Sequence, residues 1–94
     1  MWLQTEQGNL INMDRITSIT YTIGSAYVAI YAHLIDDNDS EEGTIVAAMP
    51  SLYNAGVMLD RISNHIKLGT KCIDAKLLAD QINNQYKSNN KQPQ

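Results

Sequence analysis

The spacing of apolar residues changes at Pro50-Ser51, and this change constrains the fold more than any other feature of the chain. Upstream of it, apolar and polar residues alternate, as they do through residues 16–23, ITSITYTI. Such alternation is typical of a strand with one buried face. Downstream, apolar residues recur every three or four positions, at Leu52, Ala55, Leu59, Ile62 and Ile66. That spacing is typical of an amphipathic helix, so the chain is predicted to have an α+β fold.

Five strands are predicted before the change of spacing, at residues 2–5, 10–13, 16–23, 26–35 and 44–49. Most of the connections between them are short, and two of these short connections contain a glycine, Gly8 and Gly24. Short connections join antiparallel neighbours. We therefore expect one five-stranded, mostly antiparallel meander sheet with a long helix packed across it, an arrangement that is pleckstrin-homology-like.

The helices have recognisable ends. Ser51 is a typical N-cap for the first helix, and Gly69 is a typical residue to follow its last turn. Gly56 lies inside this helix and indicates either a close contact with the sheet or a tolerated glycine that costs about 1 kcal/mol relative to alanine. A short second helix is predicted from Asp74, as its N-cap, to about Tyr86.

The C-terminal residues 87–94, KSNNKQPQ, contain no apolar side chain that could be buried. They are predicted to form a disordered tail after a single α+β domain at residues 1–86.

Composition and charge argue against several classes of partner. The 94 residues carry a net charge of −3, from 7 basic and 10 acidic residues, and no two basic residues are adjacent. Nucleic-acid binding needs clustered lysine and arginine, so it is not expected. No apolar run approaches the roughly 20 residues of a membrane span, and the first residues do not resemble a secretory signal. The expectation is a cytoplasmic protein in which Cys72, the single cysteine, is a half-buried structural thiol.

The N-terminus and the main helix carry a recognisable pattern, in Met1, Trp2, Leu3, Thr5, Gly8 and the Ser-capped segment 51–66. In these features the chain resembles a group of small bacterial and phage proteins of uncharacterised role, whose pattern begins Met-Trp-aliphatic-x-Thr/Ser-x-x-Gly. The resemblance covers about the first 67 residues. It implies a β-meander followed by one helix and implies no activity. The chain departs from the pattern at Met49-Pro50, where the group usually has a tyrosine, and the segment after Gly69 has no counterpart.

Two groups of residues suggest chemistry, and neither has the required spacing. Residues 36–43, DDNDSEEG, offer alternating oxygen donors like a Ca²⁺ loop, but Glu42 and Ala48 stand where such a loop needs glycine and glutamate. An exposed hairpin loop is expected there, with weak cation binding as the lesser alternative. His33 and His65 are the only imidazoles, and neither has a nucleophile and a carboxylate at a catalytic spacing. We therefore predict no enzymatic activity, no metal site and no cofactor.

The hairpin predicted around Gly24-Ser25 has two unlike faces. A two-residue turn there places Tyr21 opposite Val28, so the aliphatic residues of both strands share the face that the helix is expected to cover. The other face carries Thr20, Thr22, Tyr27, Ala29, Tyr31 and His33. Tyrosine is enriched at interfaces because it combines a large contact area with a hydrogen-bonding tip.

We interpret this second face as a contact surface, and its candidate residues are Thr20, Thr22, Tyr27, Tyr31 and His33. Self-association is its leading use, and the alternative is that the second helix or the N-terminal strands fold over it. Two functions stay open. The first is a non-enzymatic interaction module that acts as a homo-oligomer and binds a host or partner protein through this face.

The second is a small-ligand binding protein that sequesters a nucleotide or metabolite at a subunit interface. In that case Tyr27 or Tyr31 stacks on the ligand, and Arg15 or a lysine meets its charge.

Overall fold

The computed structural model describes residues 1–35 and 43–90, with side chains up to residue 86. Its elements in chain order are β1 (Trp2–Gln4), β2 (Leu10–Asn12), β3 (Ile16–Ile23), β4 (Val28–Leu34), β5 (Thr44–Met49), α1 (Leu52–Leu68), β6 (Cys72–Asp74) and α2 (Ala75–Asn90), with a turn of 3-10 helix at Met13–Arg15. The predicted α+β class is confirmed.

The strands form two sheets of three strands each. The sheet β3–β4–β5 is an antiparallel meander. In the other sheet, β1 pairs antiparallel with β2 and parallel with β6. The predicted single five-stranded sheet and its pleckstrin-homology-like arrangement are therefore wrong. The meander breaks at the 3-10 turn, where Asn12 Oδ1 accepts a hydrogen bond from the Asp14 backbone N–H at 3.0 Å and the chain leaves β2 without forming a hairpin.

The strand β6 was not predicted from the sequence. Only Ile73 in it is buried, and three residues are too few for an alternation of apolar and polar residues to be recognised in the sequence. Its position depends on pairing with the N-terminus. Ile73 lies beside Leu3 in the parallel register, and the Trp2 N–H donates to the Lys71 carbonyl at 2.8 Å.

The β3–β4 hairpin differs from its predicted register by two residues. The Gly24 N–H donates to the Tyr27 carbonyl at 2.9 Å, and Tyr21 lies opposite Ile30 and not opposite Val28. Side chains along a strand alternate with period two, so a shift of two residues leaves every side chain on its predicted face. The two unlike faces of the hairpin therefore have the predicted residues, although the predicted turn is wrong.

Both predicted ends of α1 are confirmed. The Ser51 hydroxyl accepts a hydrogen bond from the Asn54 N–H at 3.1 Å. At the other end Gly69 has a φ of 72°, and the N–H groups of Gly69 and Thr70 donate to the carbonyls of Ile66 and His65. This pair of bonds is a Schellman motif, which satisfies carbonyls that a helix end leaves without partners.

The buried side of α1 is displaced from the predicted stripe. Leu52 and Ile66 are about half exposed, whereas Asn54 and Met58 are buried. The displacement follows from α2, which packs beside α1, and the Asn54 side-chain amide donates to Asn83 Oδ1 at 3.0 Å. The apolar stripe predicted from the sequence of α1 alone takes no account of α2, which packs beside it.

The helix α2 contributes side chains to the buried core. At 16 residues it is longer than the short helix predicted. Its first turn is capped as expected, because Asp74 Oδ1 accepts a hydrogen bond from the Leu77 N–H at 3.1 Å. It ends at Asn90, inside the segment 87–94 that was expected to be a tail. The buried core combines both sheets and both helices in Leu3, Val28, Ile30, Met49, Met58, Ile62, Ile73, Leu78, Ala79 and Ile82.

Candidate functional site

One face of the β3–β4–β5 sheet lies opposite the helices, and we name it the open face. Cross-strand partners share a face, and the observed pairs assign Ser18, Thr20, Thr22, Ala29, Tyr31, His33, Ile45 and Ala48 to it. The core residues of the same strands, such as Val28, Ile30 and Met49, alternate with these and point toward the helices. Four of the five predicted contact residues thus lie on one face.

The open face is accessible in the part of the chain that the structure describes. Thr20 and Thr22 are exposed, Tyr31 and His33 are half-buried, and only the small Ala29 between them is buried. The side chains that both helices bring to the core contact the opposite face. The described segments of the N-terminal sheet meet β5 at its edge, where the Glu6 N–H donates to the Val46 carbonyl at 2.8 Å.

The imidazole of His33 is held in place by its neighbours. Its Nε2 lies 2.8 Å from the hydroxyl of Thr20, and Thr17 Oγ1 donates to the His33 carbonyl at 3.0 Å. Gly43 packs against the ring so closely that a Cβ there would lie 3.0 Å from His33 Nδ1. These contacts fix the orientation of a polar group at one end of the open face.

The two tyrosines lie around a shallow hollow of about 250 Å³ at the other end of the open face. Thr22 and Ala29 form its floor between Tyr27 and Tyr31, and no charged side chain lines it. Tyr27 is in the connection between β3 and β4, so it reaches the hollow from the side. The predicted residues therefore form a row along the face. Thr22, Tyr27 and Tyr31 line the hollow, and Thr20, opposite Tyr31, contacts His33 farther along the sheet.

A larger cleft of about 680 Å³ lies on the other side of Tyr27. It is lined by Ala26, Tyr27, Ala48, Met49, Pro50, Ser51, Asn54 and Asn83. Sequence reasoning missed it, because it forms where the start of α1 meets α2. The run Met49-Pro50-Ser51 between strand and helix is the one local signal at this position, and it predicts a helix start without predicting a cleft.

The positively charged partner that a nucleotide would need is not beside the tyrosines. Neither the hollow nor the cleft is lined by a lysine or an arginine. The Arg15 carbonyl accepts the Ile35 N–H at 2.7 Å, which places Arg15 at the end of the hairpin away from Tyr27. Thr20, opposite Tyr31, is four residues from Ile16, the first residue of β3 after Arg15, about 13 Å at the usual rise per residue.

The remaining candidates are dispersed. His65 Nδ1 lies 3.0 Å from Thr70 Oγ1 at the end of α1. Cys72, expected to be half-buried, is exposed because β6 turns its side chain outward. Within residues 1–35 and 43–90, no three His, Cys, Asp or Glu side chains are grouped as metal ligands, and the acidic loop at 36–42 lies outside the described residues. Neither described helix is long and apolar enough to cross a membrane.

Comparison with known proteins adds no constraint on the site. No protein-family model matches the chain, and searches of curated proteins and of solved structures find no significant similarity.

Proposed function

We propose that the protein is a non-enzymatic interaction module that acts as a homo-oligomer and binds a partner protein through the open face. The observation that carries this proposal is a sheet face with two structured aromatic groups, Tyr31 and His33, that no described helix covers. The contact residues are Thr20, Thr22, Tyr27, Tyr31 and His33.

The composition of the open face supports the proposal. An antiparallel sheet with one solvated face usually alternates apolar residues inside with polar residues outside. Here the outer residues include no lysine, arginine, aspartate or glutamate, and Tyr31 pairs across the strands with Ile45. The buried centre of a protein interface is likewise poor in charged residues and contains aromatic side chains.

The test compares wild type with Tyr31→Glu as bait in quantitative pull-downs from the cells that make the protein. A charge in the middle of the open face should remove the bound partner, since an unpaired carboxylate is costly in a desolvated contact. The matched control is Tyr53→Glu, which places the same charge at an exposed tyrosine of α1. Circular dichroism verifies that both variants are folded.

The expected result is a partner captured by wild type and by Tyr53→Glu and lost with Tyr31→Glu. Equal capture by all three proteins would contradict a binding role for the open face. Light scattering that gives a monomer at every concentration would contradict the homo-oligomer.

A small-ligand binding protein is the second candidate, and the cleft beside Tyr27 favours it. Its volume lies within the range of about 300–1,000 Å³ that is usual for ligand pockets, and aromatic, apolar and amide groups line it. Without a basic residue in the lining, an uncharged ligand suits it better than a nucleotide. A thermal-shift screen tests this, because a bound ligand raises the melting temperature by mass action.

A further inference from the structure

Among the residues that the structure describes, β3 has no partner strand on its outer side and is an edge of its sheet. The sheet order is β3–β4–β5, and the opposite edge, on β5, is covered by the β1–β2 turn. There the Glu6 N–H donates to the Val46 carbonyl, and Glu6 Oε1 accepts from the Ala48 N–H at 3.0 Å. No described residue pairs with the outer edge of β3 in the same way.

The outer edge of β3 presents backbone groups from alternate residues. The Gly24 N–H points toward β4, since it donates to the Tyr27 carbonyl. Successive residues of an antiparallel strand point their N–H and C=O groups to opposite sides. The groups of Ile19, Tyr21 and Ile23 therefore point outward, away from β4.

The outward-pointing residues are the centre of a palindrome. Residues 19–23 read Ile-Thr-Tyr-Thr-Ile in both directions. Two copies of this segment, antiparallel about a two-fold axis at Tyr21, set Tyr21 opposite Tyr21, Ile19 opposite Ile23 and Thr20 opposite Thr22. The three pairs with outward groups would form about six hydrogen bonds, two for each pair.

The side chains on the helix side of β3 fit this register. Ile23 and Tyr21 are 62% and 47% exposed, which is high for large apolar groups. A groove of about 510 Å³ between β3 and α1 is lined by Ile19, Leu59 and Ile66 among others. In the two-fold register, Ile23 of each copy lies beside Ile19 of the other and enters this groove.

Nothing on β3 opposes the pairing. Long exposed edges are usually protected by charged residues, proline or bulges. Residues 18–23 contain neither a charged residue nor a proline, and the bulge of this strand lies before Ser18. An uncharged edge also meets a second copy of itself without like-charge repulsion.

We propose that two copies of this chain pair through β3 in antiparallel orientation, about a two-fold axis at Tyr21, to form a continuous six-stranded sheet. The occupant of the edge is a second copy because each subunit carries both halves of the contact, the exposed Ile23 and the groove that receives it. Such reciprocity is the mark of an isologous interface. The inference rests on the proposed homo-oligomer and names its contact. The two open faces would then be continuous and leave Tyr31 free for a partner.

The test is light scattering of Tyr21→Lys, Tyr21→Glu and their mixture. Each variant sets like charges against each other at the axis, so each should be a folded monomer where wild type is a dimer. An equimolar mixture sets lysine opposite glutamate and should restore the dimer. Tyr53→Glu, at an exposed tyrosine of α1, is the matched control and should stay dimeric.

A second variant guards against loss of folding. In a Cys72→Ser background, Tyr21→Cys places two thiols in a directly opposed pair, with Cα atoms about 5.5 Å apart, within the range of a disulfide. Thr22→Cys places them about 8 Å apart, beyond that range. Oxidation should crosslink the first variant into dimers and leave the second monomeric.

The outcomes separate the two proposals. A monomeric wild type overturns both the β3 pairing and the homo-oligomer. A dimer that survives both charged variants, or crosslinks through Thr22→Cys and not through Tyr21→Cys, overturns the β3 pairing alone. If Tyr31→Glu is a monomer and Tyr21→Lys is still a dimer, the β3 pairing is overturned and the subunits meet through the open face.

Discussion

Gly56 and Gly43 show how one residue type has opposite roles at two positions. Gly56 is exposed inside α1, and an added Cβ would meet no atom within 4 Å. Gly43 has a φ of 81°, and an added Cβ would lie 2.6 Å from the Ala32 carbonyl oxygen. The close helix–sheet contact considered for Gly56 is therefore wrong, and the tolerated glycine is the correct interpretation.

At Gly56, alanine should stabilise the protein. Gly56→Ala is expected to raise the free energy of unfolding by about 0.5–1 kcal/mol, because alanine restricts the unfolded chain and favours the helix. Urea denaturation measures the change. Gly43→Ala is the control and should lower the free energy of unfolding by about 1–3 kcal/mol, since its φ and the carbonyl contact both oppose a side chain. Equal effects at the two positions would contradict the two roles.

At the scale of elements, the contact between α1 and α2 depends on polar as well as apolar groups. Asn54 is 6% exposed, and its side-chain amide donates a hydrogen bond to the amide oxygen of Asn83 in α2. Tyr53 directly precedes Asn54, and its ring meets that of Tyr86 edge to face with centroids 5.0 Å apart. A hydrogen bond to Tyr86 raises the pKa of the Tyr53 phenol above its usual 10.0.

The Asn54–Asn83 bond should be costly to break from one side. Asn83→Ala leaves a buried amide donor without its partner and is expected to lower the free energy of unfolding by about 1–3 kcal/mol. The control is Gln81→Ala, on the exposed side of the same helix, which should change it by less than about 0.5 kcal/mol. Both values come from chemical denaturation, and a cost at Asn83 no larger than at Gln81 would show that the bond is not needed.

At the scale of the whole molecule, the segment after Gly69 completes the fold. The parallel pairing of β6 with β1 joins this segment to the N-terminal strand. Ile73, Leu78 and Ile82 from this segment are buried in the same core as Leu3 and Met58.

Truncation after Gly69 should therefore unfold the protein. Burial of each large aliphatic side chain contributes about 1.5–3 kcal/mol, and loss of several approaches the whole stability of about 5–15 kcal/mol for a domain. Circular dichroism of residues 1–69 should show no cooperative thermal transition. Addition of a peptide of residues 70–90 should restore it. A cooperative transition in residues 1–69 alone would contradict the shared core.

The helix ends and the faces of the long strands could be predicted from the sequence, because they depend on local chemistry. Ser51, Gly69 and Asp74 mark helix ends because capping depends on a few adjacent residues. The open face followed from the period-two alternation of β3 and β4, and it held although the turn moved, because a shift of two residues preserves side-chain direction.

Only the tertiary structure decided how distant segments meet. Three residues of β6 carry no periodic signal, yet their pairing with β1 replaces the five-stranded sheet with two smaller ones. The burial of Asn54 and the cleft beside Tyr27 likewise depend on α2, whose Asn83 lies 29 residues along the chain from Asn54. A pattern read along the chain reports which side of an element is apolar, whereas the partner for that side is selected by packing among all the elements at once.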